Sequence, residues 1–156
     1  MIGNSMKRQV VTVAPSTTVH DAALLVVDKH VGTLPVVDEQ GVLIGVVRLD
    51  DLLRVFMPDF VALLEDIDFI HDFGVLETLQ PADVPAATRL TMRDLMQPPC
   101  AVEQTCGLLR AYATRLKHDL RDLPVINRAG SLVGLASRVD IAAAFLAPWV
   151  QPGPTR

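Results

Sequence analysis

The order of apolar and polar positions predicts the same small unit twice along the chain. A β-branched run that stops at Pro15 starts the first unit, and a helix capping box, Thr18-Val19-His20-Asp21, follows it. The predicted elements of this unit are a strand, a helix, two hairpin strands and a helix, at Val10 to Val13, Thr18 to Lys29, Leu34 to Val37, Val42 to Val47 and from about Leu49. A polar turn that ends at Gly41 joins the hairpin strands.

The second unit is an internal repeat of the first. At an offset of 89 residues, Leu34-Pro35-Val36-Val37 falls on Leu123-Pro124-Val125-Ile126, and Asp51 falls on Asp140. The second unit has the same order of elements, predicted at Cys100 to Val102, Gly107 to Lys117, Leu123 to Ile126, Ser131 to Ala136 and after Ser137. A unit this small rarely buries enough apolar surface to be stable alone, so the two β-α-β-β-α units must pack on each other.

Between the units lies a segment that belongs to neither. Its apolar residues have the spacing of an amphipathic helix, at Phe60, Leu63, Leu64, Ile67 and Ile70. A Pro-rich linker and a second capping box, Thr91-Met92-Arg93-Asp94, come after it. We therefore divide the chain into a first repeat, an inserted helical arm with its linker, a second repeat and a tail, at residues 1–56, 57–90, 91–148 and 149–156.

Composition and charge exclude several classes of protein. The chain of 156 residues is 50% apolar with a mean hydropathy of +0.34, so it is not disordered, and no apolar run is long enough to cross a bilayer. The net charge is −4, which argues against a nucleic-acid partner. The arm holds six acids and no Lys or Arg between Phe56 and Gln80, so the remainder is net positive. With no secretory signal at the start, we expect a soluble cytoplasmic protein.

The duplicated unit resembles the cystathionine-β-synthase-type (CBS) domain, which occurs in pairs called Bateman modules. The features that carry the resemblance are Leu34-Pro35-Val36-Val37, the Gly41 turn, Gly45-Val46-Val47 and Asp51. In the second unit the same positions hold Leu123-Pro124-Val125-Ile126, Gly130, Gly134 and Asp140. Thr91 to Met96 resembles the segment that opens such a domain, whereas Asn4 to Lys7 departs from it. The resemblance implies an α/β (α+β) fold in which two repeats pack through their sheets about a pseudo-twofold axis. It also implies two clefts that bind adenosine compounds.

The resemblance places a nucleotide site at the start of the last helix. In the family pattern a Thr or Ser reaches phosphate and an Asp three residues later holds the ribose hydroxyls, which Ser137 and Asp140 match. Arg138 would add a planar donor fork for phosphate. The same Ser-x-x-Asp pattern is also a plain helix capping box that needs no ligand.

The first repeat has Arg48 in place of the hydroxyl and keeps Asp51. Arg48 could contact phosphate, or it could fill the cleft by pairing with Asp51. Arg121 resembles a basic position that reaches phosphate in some members, with a solvated surface role as the alternative. By the same resemblance, the adenine would be bordered by Val31, Gly32 and Leu120, although core packing is the commoner role for side chains such as Val31 and Leu120.

The acidic arm suggests a different chemistry. Glu65, Asp68 and Asp72 share one face of the predicted helix with His71 alongside, and such side chains suit a divalent metal, although an acidic solvated face is commoner. No nucleophilic or phosphate-loop motif is present, so we expect neither an enzyme nor a required cofactor.

We therefore expect a regulatory module that binds AMP, ADP, ATP or S-adenosylmethionine and signals to a separate enzyme or transporter. The alternatives are a ligand-free interaction scaffold and a metal sensor. The apolar helices also predict a homodimer.

Overall fold

The computed structural model describes residues 1–57 and 86–150. Its helices are α1 to α6, at Val19–Lys29, Leu49–Phe56, Ala86–Arg89, Met92–Leu95, Leu108–Lys117 and Arg138–Val150, and a 3-10 turn spans Ile2–Asn4. Its strands are β1 to β5, at Thr33–Val37, Leu43–Arg48, Val102–Glu103, Asp122–Ile126 and Leu132–Ser137. The apolar stripe of the predicted arm lies outside the described residues. No helix in the described ranges could span a membrane.

The two hairpins form as predicted, because both turns use the same side-chain chemistry. The Asp38 carboxylate accepts hydrogen bonds from the backbone N–H groups of Gln40 and Val42, each at 2.9 Å. Asn127 does the same in the second repeat, and the glycines of both turns have positive φ, +79° at Gly41 and +84° at Gly130. Each hairpin is antiparallel. The mixed α+β fold is thereby confirmed.

The first strand of the first repeat is shorter than predicted. Only Val13 pairs, through a parallel bridge to Val36, whereas in the second repeat Val102 and Glu103 pair with β4. Gln104 extends the second ladder by donating its N–H to the Ile126 carbonyl at 2.9 Å. The matching residue of the first repeat is Pro15, which has no N–H to donate. The prediction of a strand from Val10 to Val13 was therefore wrong in extent.

Equivalent residues of the two repeats meet on a pseudo-twofold axis. Leu43 donates its N–H to the Gly130 carbonyl at 3.1 Å, and Leu132 donates to the Gly41 carbonyl at 3.0 Å. At the far end of the hairpins, the buried Thr33 hydroxyl donates to the Asp122 carboxylate at 2.7 Å. Thr33 and Asp122 are 89 residues apart, the offset of the repeat. The repeats therefore pack through their hairpins, as predicted.

Each repeat completes its core with a residue from the segment that opens the other. Met92 is fully buried in the core of the first repeat, and Ile2 is fully buried in the core of the second. Backbone hydrogen bonds hold both segments in place: Met92 N–H donates to Thr17, and Ile2 N–H donates to Cys106, each at 2.8 Å. The residues Met1 to Lys7 thus form an opening segment, although their sequence departs from the family pattern.

Candidate functional site

Among the cavities formed by residues 1–57 and 86–150, three lie between the repeats, one near the pseudo-twofold axis and one on either side of it. The central cavity, of about 310 Å³, is lined by Thr33 and Asp122 and by the ends of β2 and β5 where helices α2 and α6 begin. The serine cleft, of about 220 Å³, contains Ser137, and the arginine cleft, of about 500 Å³, contains Arg48. This arrangement follows from the duplication, because each repeat contributes the same strand ends to the interface.

The two side clefts are lined by equivalent positions with different chemistry. Several lining residues of the serine cleft have an equivalent 89 residues away that lines the arginine cleft. Given with the serine-cleft residue first, these pairs include Ser137 and Arg48, Val31 and Leu120, Leu135 and Val46, and Val11 and Cys100. Val31 and Gly32 therefore lie in the same cleft as Ser137, and Leu120 lies with Arg48. Val31 packs against the core of the first repeat and Leu120 is part of the core of the second, so the core alternative holds for both, and their place beside adenine stays a prediction.

Ser137 and Asp140 form a complete capping box at the start of α6. The Asp140 carboxylate accepts the Ser137 N–H at 2.8 Å and the Ser137 hydroxyl at 2.6 Å, and the hydroxyl accepts the Asp140 N–H at 3.1 Å. All of these carboxylate contacts use Oδ2, which leaves Oδ1 as an acceptor. Capping and ligand binding are therefore compatible at this residue. Asp140 itself is not among the described residues that line the three cavities.

Asp51 takes the same position in the first repeat. Its carboxylate accepts the backbone N–H of Arg48 at 2.9 Å. Within residues 1–57 and 86–150, the Arg48 guanidinium has no carboxylate within 4.0 Å, so it does not pair with Asp51 there. Arg48 instead lines both the arginine cleft and the central cavity. Asp51, like Asp140, is set back from the described walls of all three cavities.

Four arginines surround the central cavity: Arg48, Arg115, Arg121 and Arg138. None of them forms an ion pair within the described ranges. Arg115 is held by a hydrogen bond from Nη1 to the Leu120 carbonyl at 3.0 Å and by stacking over Tyr112, with 5.6 Å from Cζ to the ring centroid. Its Nε is buried and has no hydrogen-bond partner among the described residues. Three aspartates also line the cavity, so its lining has a formal excess of one positive charge. Guanidinium groups are well suited to binding phosphate.

Sequence reasoning identified three of these arginines and missed Arg115. Its equivalent in the first repeat is Val26, so the alignment of the repeats suggests an apolar helix position there. Helical periodicity could have found it, because Arg115 follows the fully buried Ala111 by four residues on the same face of α5.

Cys100 lies in the arginine cleft and is not disposed to act as a nucleophile. Burial raises the pKa of its thiol, although the positive charges of Arg48 and Lys117 lower it in part. The thiol form therefore dominates at neutral pH.

The metal-ligand candidates Glu65, Asp68, His71 and Asp72 lie outside the described residues. In residues 1–57 and 86–150, no three or more His, Cys, Asp or Glu side chains are arranged to hold a metal ion.

The fold and the cavities define a class of protein: a tandem α+β module with cavities at the interface of two pseudo-symmetric repeats. The CBS domain family model matches residues 2–58 and 92–147. The two matches cover most of the chain, and the chain belongs to the CBS domain family as a tandem pair.

The relatives of this chain include plant proteins with the same pair of domains. The chloroplastic CBS domain-containing protein CBSX2 of Arabidopsis thaliana is 33% identical over 141 residues, which cover 86% of this chain and 58% of the relative. The chain thus spans about three fifths of that relative's length. The crystal structure of the CBS-pair protein CBSX2 superimposes with a TM-score of 0.73 at 30% identity and covers 97% of each chain. A structure of CBSX2 in complex with AMP gives a TM-score of 0.69 at 32% identity, over 95% of this chain and 97% of the other.

Proposed function

We propose that this protein is a regulatory module that binds an adenine nucleotide between its two CBS repeats and signals to a separate protein. The observation that carries the proposal is that four arginines line the central cavity, next to two clefts that each have apolar side chains among their walls. A nucleotide combines negatively charged phosphates with a flat base that packs against apolar side chains, so it suits a site of this kind. The binding of AMP by CBSX2 supports the same ligand class for this chain.

We assign roles to the cavity-lining side chains from their positions, and to Asp51 and Asp140, which line none of the three cavities, from the family pattern. The apolar side chains of Val31 and Leu120, with Gly32 beside Val31, would border adenine in the two clefts. The Ser137 hydroxyl and the first N–H groups of α6 would bind phosphate, since a helix N-terminus favours negative charge. Arg48, Arg121 and Arg138 would add charged donors, and Asp51 and Asp140 would hold ribose hydroxyls.

A thermal-shift panel tests this function. AMP, ADP, ATP and S-adenosylmethionine are each added at a large excess, with and without Mg²⁺. A ligand present at a hundredfold excess over its Kd should raise the free energy of unfolding by about 2.7 kcal/mol. GMP at the same concentrations is the control for the base. If no adenine compound raises the melting temperature, the module is a ligand-free scaffold and the proposal is wrong.

We also propose that the module is a homodimer. Helices α5 and α6 contact each other through Tyr112 and Phe145, yet both expose large apolar side chains, with Leu109 72%, Leu146 58% and Trp149 85% exposed. Monomers rarely expose a continuous apolar surface of this kind, and a symmetric pair is the commonest way to bury one. Light scattering coupled to size exclusion should give twice 17.0 kDa, and Trp149→Glu should shift the protein toward the monomer. A wild-type mass near 17.0 kDa would contradict the dimer.

Three expectations from the sequence concern the role of the protein in the cell. A non-catalytic role, a cytoplasmic location and an enzyme or transporter as the regulated partner stay predictions from the sequence.

A further inference from the structure

We propose that the two copies of the chain pair head to tail, with helix α1 of each protomer against helix α5 of its partner. The surfaces that meet are the α1 face and the α5 face. Each is defined by exposed side chains of its helix: Asp21, Leu24, Val27 and Asp28 on α1, and Leu109, Arg110, Leu116 and Lys117 on α5. This inference rests on the homodimer proposed above, and it specifies which parts of the two chains are in contact.

Both faces expose apolar side chains. Leu24 and Val27 on the α1 face, like Leu109 and Leu116 on the α5 face, are more than half exposed. Val27 and Leu116 are equivalent positions of the two repeats, 89 residues apart. Each repeat therefore leaves a similar apolar surface uncovered, and such surfaces are usually sites of association.

Equivalent positions of the two faces carry opposite charges. Asp21 and Asp28 on α1 correspond to Arg110 and Lys117 on α5. The members of each pair are seven residues apart, so they lie on one side of their helix. Lys29 pairs with Asp28 at 3.0 Å from Nζ to Oδ2, yet the net charge is −1 over α1 and +3 over α5. The two faces are complementary in charge to each other, and neither is complementary to itself.

The symmetry of a homodimer allows two arrangements of these faces. A twofold axis can place α1 against α1 of the partner and α5 against α5, or it can place α1 against α5 in two identical contacts. The first arrangement brings acidic helices together and basic helices together, and like charges across an interface are repulsive. The second brings opposite charges together in both contacts. The charge pattern therefore favours the head-to-tail pair.

Sedimentation equilibrium at low salt tests the arrangement through the Kd of the dimer. Asp21→Lys combined with Asp28→Lys makes the α1 face basic, and Arg110→Glu combined with Lys117→Glu makes the α5 face acidic. We expect each double variant to raise the Kd about tenfold or more, because both contacts of the dimer become repulsive. High salt should reduce this effect. The four substitutions together restore opposite charges and should return the Kd to about that of the wild type.

The matched control is Glu39→Lys combined with Glu103→Lys. It changes the net charge as much as the reversal of the α1 face does. Both glutamates are exposed and lie on other elements, Glu39 in the turn after β1 and Glu103 at the end of β3. The control should dimerise as the wild type does, and a Kd raised as much as in the double variants would overturn the proposal. Circular dichroism shows which variants are folded, and the α5 variant decides alone if the α1 variant is not.

The outcomes separate this inference from the proposals on which it rests. An unchanged Kd in either folded double variant, or a weakening that the four substitutions together do not reverse, would overturn the head-to-tail arrangement and leave the homodimer intact. A wild-type mass near 17.0 kDa would overturn both. Nucleotide binding is decided separately by the thermal-shift panel.

Discussion

Replacement of Met92 by alanine is expected to lower the free energy of unfolding by about 2 to 5 kcal/mol, as is usual when a large buried side chain is truncated. Met92 is fully buried in the core of the first repeat, although it belongs to the segment that opens the second. The same core contains Leu34, Val36 and Leu52. The variant would leave a cavity in one repeat and loosen the connection to the other.

Urea unfolding followed by circular dichroism measures this effect. The matched control is Met57→Ala, because Met57 is 46% exposed and its truncation should change stability by less than about 0.5 kcal/mol. Similar stabilities for the two variants would show that Met92 does not complete the core. A single cooperative transition in the wild type would fit the exchange of segments, since neither repeat has a complete core by itself.

The exchange of opening segments shows where prediction from this sequence ends. The hairpins were predictable because their turn residues, Asp38 to Gly41 and Asn127 to Gly130, act locally. The burial of Ile2 was not predictable from the repeat. Ile2 and Met92 are separated by one residue more than the 89-residue offset of the other repeated positions, and the two opening segments share little sequence. Ile2 and Met92 match only in that both are apolar, and which core each fills depends on contacts between distant parts of the chain.

For the candidate site, the equivalent positions in the two repeats were predictable from the sequence, whereas the sizes of the clefts were not. Comparison of the repeats identified Arg48 and Ser137 as equivalent positions, and the structure places them in equivalent clefts. The sequence pointed to the serine cleft as the better preserved of the two. It could not show that this cleft is the smaller, at about 220 Å³ against about 500 Å³ for the arginine cleft. Cavity size depends on how neighbouring segments pack, and the repeat pattern does not contain that information.

Asp140→Ala is expected to reduce the affinity for AMP about ten- to a hundredfold, the usual effect of losing hydrogen bonds to a charged acceptor. The free Oδ1 of Asp140 can accept a ribose hydroxyl, while Oδ2 fixes the Ser137 hydroxyl at the edge of the serine cleft. The substitution removes both effects. Calorimetry with AMP measures the loss, and circular dichroism shows whether the variant is folded.

The capping role of Asp140 must be separated from its role in binding, and the chain supplies a control. Asp94 caps helix α4 in the same way, accepting the Thr91 N–H at 2.8 Å and the Thr91 hydroxyl at 3.1 Å, but its partner Thr91, unlike Ser137, lines none of the three cavities between the repeats. Loss of a cap costs about 1 kcal/mol of stability in either place. Asp94→Ala should therefore be destabilised as much as Asp140→Ala and still bind AMP as the wild type does. Equal affinities for AMP in the two variants would mean that Asp140 only caps its helix, and that the nucleotide is held by the arginines and the apolar walls alone.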